Sequence, residues 1–151
     1  MLQVNLKQAV HANIRTDFAV GLGWIKARWE LRFPDVPFTI SSLKDGRHGS
    51  NSQHKQNEPE HVPGEAADLS TLHSRLWTWT DGDEEARYKR GDGLSPGVKW
   101  ADVGRHVMEL SEFQQELQEA GFRVVIHPEQ AETIPHLHVA LGPEPIFRRL
   151  S

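Results

Sequence analysis

Three short stretches of this chain carry residue types that could do chemistry together. In His61-Val62-Pro63-Gly64-Glu65-Ala66-Ala67-Asp68 an imidazole and a carboxylate flank a glycine turn, and both are good zinc donors. Gly64 permits the turn, while Ala66 is small enough for a strand to lie close under a metal. Strand alternation points Ala66 and Asp68 to one face. His136-Leu137-His138 lies in an apolar run, where the same alternation sends both imidazoles to one side, about 6.6 Å apart at Cα. One of them can ligate while the other serves a reaction. Glu132 precedes that strand by four residues, at the place where a general base to an activated water would be wanted. Glu129, three residues earlier, competes for the role.

These residues need elements to position them. Phe18, Leu22, Ile25 and Trp29 recur at helical spacing, Thr16 or Asp17 can cap the start, and Pro34 stops the run, which predicts a helix over 17–32. Pro37 to Ser42 reads as a short strand opening into a long polar loop, 44–60, and Glu65 to Leu69 reads as a second strand. Trp77-Thr78-Trp79-Thr80 and the charged stretch 81–93 are expected to form a solvated excursion without chemistry of its own. From Lys99, the spacing of Trp100, Val103, Val107, Leu110, Leu117 and Ala120 is helical again, ending at Gly121. Gly104, or a capping box at Ser111 with Gln114, could split that run. Phe122 to Ile126 and His136 to Leu141 read as strands able to pair. The order α-β-β-α-β-β predicts an α+β domain, helices packed on a small antiparallel sheet.

Composition bounds the partners. The 151 residues are the size of one ordinary domain, 1–151. Mean hydropathy is -0.57, and no apolar run approaches the ~20 residues of a membrane span. The start, Met1 to Lys7, has neither the basic nor the continuous apolar region of a secretory signal, so the chain is expected to be cytoplasmic as synthesised. A net charge of -4, with 17 basic residues that form no long run, argues against nucleic acid as a partner. With no Cys, His and carboxylates are the only strong metal donors. His11, His73 and His106 show no partner pattern, and His127 beside Pro128 stays open.

The two His-containing motifs together resemble the zinc murein peptidases, a family that includes D-Ala-D-Ala carboxypeptidases, vancomycin-resistance dipeptidases and phage endopeptidases. The zinc fold of Hedgehog signalling domains is similar. The family signature is Ser-x-His-x-x-Gly-x-Ala-x-Asp, then a distant His-x-His strand with a Glu just upstream. His61, Gly64, Ala66, Asp68, Glu132, His136 and His138 match it. Small phage-type members also begin with Asn-Leu-Lys-Gln, a long helix and a strand ending in Thr-Ser-x-x-Asp-Gly-Lys-His. Asn5-Leu6-Lys7-Gln8, the 17–32 helix and the run from Thr39 to His48 follow that plan, leaving 77–98 unaccounted for.

The resemblance implies a zinc ion held by His61, Asp68 and His138, with a fourth position for water, Glu132 as base and His136 donating to the oxyanion. It implies hydrolysis of a peptide bond next to a D-amino acid in peptidoglycan, by a carboxypeptidase or an endopeptidase of the endolysin kind. In carboxypeptidase-type relatives an Arg before the first ligand pairs with the substrate's terminal carboxylate, a role that falls to Arg47, with His48 and His54 also facing substrate. A phage origin would reconcile a wall substrate with a missing leader, since lysis proteins can be released by a partner. One departure leaves two options open. Ser52-Gln53-His54 is separated from His61 by an insertion; spacing back to His48 favours His54 as first ligand, spacing forward to Asp68 favours His61. The alternative from another class is a non-catalytic binding module stabilised by the same zinc ligands. A His-x-His nuclease would need a Tyr nucleophile, and the sole Tyr, Tyr88, lies in the charged stretch.

Overall fold

Phe18, Leu22, Ile25 and Trp29 form the buried stripe of helix α1 (Thr16–Arg32) in the computed structural model. The structure describes residues 5–6, 16–43, 64–128 and 134–142. Pro34 ends the helix: Phe33 N still reaches Trp29 O at 2.7 Å, and a proline cannot extend the ladder. The Trp29 indole then fastens the exit, donating from Nε1 to Val36 O at 2.9 Å. Its ring meets Phe33, Phe38 and Phe113 edge-on at centroid distances of 5.1, 5.7 and 5.8 Å. Aromatic side chains so packed cost about 3–5 kcal/mol each when truncated to Ala.

Five strands make the main sheet: β1 (Asn5–Leu6), β2 (Thr39–Ser42), β3 (Ala66–Ser70), β6 (Phe122–His127) and β7 (His136–Leu141), in the order β1-β2-β3-β7-β6. β1 lies parallel on β2, and the other neighbours are antiparallel. Alternation divides the faces. Ala67 and Leu69 of β3, Leu137, Val139 and Leu141 of β7, and Phe122 and Val124 of β6 join the core beneath α1 and α4 (Met108–Glu119). Leu110, Phe113 and Leu117 are the contribution of α4, and Gln114 Nε2 donates to Val124 O at 3.0 Å. At the rim, Arg28 and Arg32 of α1 both pair with Glu116 of α4. The other sheet face carries Asp68, Ser70, His136 and His138, set by the same period of two.

The fold is thus α+β, with four helices among the described residues and a small sheet that is antiparallel except at β1. Two local expectations are corrected. The run after Lys99 is not one long helix; α3 (Trp100–Val103) is followed by strand β5 (Gly104–His106) before α4 begins at Met108, so Ser111 does not start a helix. Gly104 does mark the break, and Gly121 ends α4 with φ 98°. Of the expected solvated excursion over 77–93, the charged part is largely exposed, with Glu84 its buried residue, but 77–79 is part of the folded structure. Trp77–Trp79 is strand β4, paired antiparallel with β5, and α2 (Gly82–Lys89) follows it. Asp81 caps α2 through Oδ1, which accepts from Asp83 N and Glu84 N at 3.1 Å. A second core forms here from Leu72, Trp77, Trp100 and Val103, with Trp79 and Tyr88 packed against it. No helix among the described residues is long and apolar enough to cross a membrane.

Candidate metal centre

β3 and β7 are central strands of the sheet, and their register sets Asp68 opposite His138 and Ser70 opposite His136. The β6–β7 register continues the rows, placing Val125 beside His138 and His127 beside His136. The carboxylate of Asp68 therefore lies on a sheet face between two imidazoles. His138 Nδ1 stands 3.0 Å from Asp68 Oδ1, and His136 Nε2 stands 3.7 Å from the same oxygen. Asp68 is 7% exposed. A buried carboxylate is costly unless it is paired or coordinates a metal.

The tautomer of His136 follows from its other nitrogen. Nδ1 lies 2.5 Å from Ile134 O, and a carbonyl oxygen can only accept, so Nδ1 carries a proton. Nε2 is then the nitrogen turned toward Asp68. An imidazole fixed through one nitrogen by a backbone carbonyl while the other faces a carboxylate is the arrangement in which metal-binding histidines are held. His127 stacks on His136 with ring centroids 4.7 Å apart, which limits the swing of that ring.

Donor spacing tests whether these residues suit zinc. Tetrahedral coordination with bonds near 2.0–2.1 Å sets neighbouring donors about 3.3 Å apart. The 3.0 Å separation of His138 Nδ1 from Asp68 Oδ1, a hydrogen-bond distance here, lies close to that value. Asp68 and His138 therefore fit as two of the expected ligands, with His136 alongside. Among the described residues no group of three His, Cys, Asp or Glu side chains is arranged to hold a metal. The expected third ligand, His61, lies outside the described residues, as do its rival His54, the substrate-facing Arg47 and His48, and the candidate bases Glu132 and Glu129. Comparison of the chain with protein-family models, curated proteins and solved structures gives no match.

His106 is the neighbour that the sequence pattern did not single out. It lies on β5 opposite Trp77, and its Nε2 is 2.7 Å from Thr71 Oγ1, just past the end of β3. Burial pushes its imidazole down to about 4, and His136 adds to the effect. His106 is therefore neutral at pH 7, joining the second core to the strand that carries Asp68. Nothing in its spacing could have revealed this, since the bond spans elements 35 residues apart.

Proposed function

We propose that this protein is a zinc peptidase with the Hedgehog-like fold of the murein peptidases, cleaving a peptide bond next to a D-amino acid in peptidoglycan. The observation that carries the reading is the buried Asp68 with its Oδ1 between His138 Nδ1 and His136 Nε2 at 3.0 and 3.7 Å. The motif order of the sequence supports it, because His61, Asp68, Glu132, His136 and His138 follow the sequence of a known chemistry.

His61, Asp68 and His138 would hold the metal. When bound, zinc polarises the scissile carbonyl and acidifies a water. The protein's own groups do the rest. Glu132 takes the proton of the attacking water and returns it to the departing amine. His136 is held by Ile134 O through Nδ1, which leaves Nε2 as the ring nitrogen that would donate to the oxyanion. Arg47 receives a terminal carboxylate through its planar fork when the substrate offers one.

Mass spectrometry of muropeptides after incubation with the zinc-loaded protein tests the reading. Cleavage at a D-amino acid is expected, and Glu132→Gln should slow it by about 10² to 10⁴ with zinc content retained. A Glu132→Gln variant as fast as wild type, beside an inactive Glu129→Gln, would move the base to Glu129. Full zinc occupancy with no cleavage of any wall peptide would replace the peptidase by a zinc-stabilised binding module.

A further inference from the structure

A cavity opens beside the second core, lined by residues of the 72–89 stretch. It measures about 360 Å³, within the range of small-molecule sites. Trp77, Trp79 and Tyr88 form its aromatic wall, with His73 at the mouth. The rings do not lie flat on one another: Trp77 and Trp79 meet at 85° and Trp79 and Tyr88 at 42°, with centroids 6.2 and 5.9 Å apart. Their faces consequently bound the space from different directions.

The polar groups around this wall are mutually neutralised. Lys89 pairs with Glu85 at 2.7 Å, and Arg75 pairs with Asp35 and Glu109. No lining cation is left to attract an anion, and no lining carboxylate to attract a cation.

We propose that this cavity binds a neutral saccharide. A sugar ring has an apolar C–H face to lie on an indole and hydroxyls at its edge that both donate and accept. Those hydroxyls match the carboxylate of Glu85 and the ammonium of Lys89 on the lining. A nucleotide would stack as well but would bring phosphate to a rim with no unpaired cation. A purely apolar peptide side chain would make no use of the polar groups of Glu85 and Lys89 on the lining. The saccharide reading stands on the cavity alone and does not depend on the zinc centre.

The test is titration of the full-length protein with the trimer of N-acetylglucosamine and, separately, with cellotriose, followed by tryptophan fluorescence and calorimetry. Saturable binding of at least one sugar is expected. Trp79→Ala should weaken it about tenfold, and His73→Ala, at an exposed position, by a few-fold. Because Trp79 also packs against the second core, Trp79→Phe is the folded control and should retain most of the affinity. The proposal is overturned if neither sugar binds saturably up to millimolar concentration, or if binding persists unchanged in both Trp79→Ala and His73→Ala. Tighter binding of adenosine monophosphate than of either sugar would overturn it as well.

Discussion

His138 faces Asp68 across the β3–β7 ladder with Nδ1 3.0 Å from Oδ1, although 70 residues of chain separate them. Strand register, and not a local turn, holds the two groups together. A one-residue slip of β7 against β3 sends His138 to the helix-covered face while Asp68 stays where it is, and so breaks the pair.

Loss of a direct ligand should therefore cost more than loss of a neighbour. Asp68→Ala and His138→Ala are expected to lower zinc affinity by more than the roughly 10- to 100-fold typical of outer partners, and to lower the zinc-dependent gain in melting temperature with it. His136→Ala should retain about one zinc while losing rate. His61→Ala should cost more metal than His54→Ala. Metal analysis after dialysis reads all of these, and equal zinc in the wild type, Asp68→Ala and His138→Ala would remove the assignment.

Stability should fall with acid through His106. Its folded value of about 4 lies below the ordinary 6.5, so between these values the unfolded chain binds a proton that the folded chain excludes. Lowering the pH through this window favours unfolding, and the contribution is fully present only above about 6.5. A shift of this size corresponds to about 3 kcal/mol at most. Comparing pH-dependent melting of the wild type with His106→Gln isolates it. The variant should lose less stability than wild type from pH 6.5 down to 4, and parallel curves would contradict the account.

A methyl group at Gly104 has no room. Its Cβ would stand 2.2 Å from Trp77 Cζ2 and 2.7 Å from Thr78 O. The backbone there is extended, with φ -177°, so the obstacle is steric and not conformational. Gly104→Ala should destabilise the protein by about 1–3 kcal/mol, seen as a lower melting temperature with perturbed tryptophan emission. An unchanged melt would mean that Trp77 repacks freely.

What the sequence made legible was local. The stripe of Phe18, Leu22, Ile25 and Trp29 defined α1 because four side chains at helical spacing need no partner to be recognised. His136-Leu137-His138 likewise announced a strand with both imidazoles on one side, and Asp68 was placed by its glycine turn. The β4–β5 pair was illegible, because β5 is three residues long and its partner lies some 27 residues earlier. Helical spacing continued through it from Trp100 to Leu110, and the pairing with Trp77–Trp79 overrode that pattern. The same distance hid His106, whose bond to Thr71 exists only once β5 has docked.

The register that joins Asp68 to His138 also sets the moment at which the centre can come into being. Asp68 leaves the ribosome long before β7, and until His138 has followed it and the two strands have zipped together, the carboxylate and this imidazole are not yet neighbours. Synthesis at about 5–20 residues per second makes that interval several seconds. Non-local strand pairing of this kind is also among the later steps of folding. A nascent or truncated chain therefore carries Asp68 without His138, and any activity that needs the pair is confined to molecules in which the sheet is already complete.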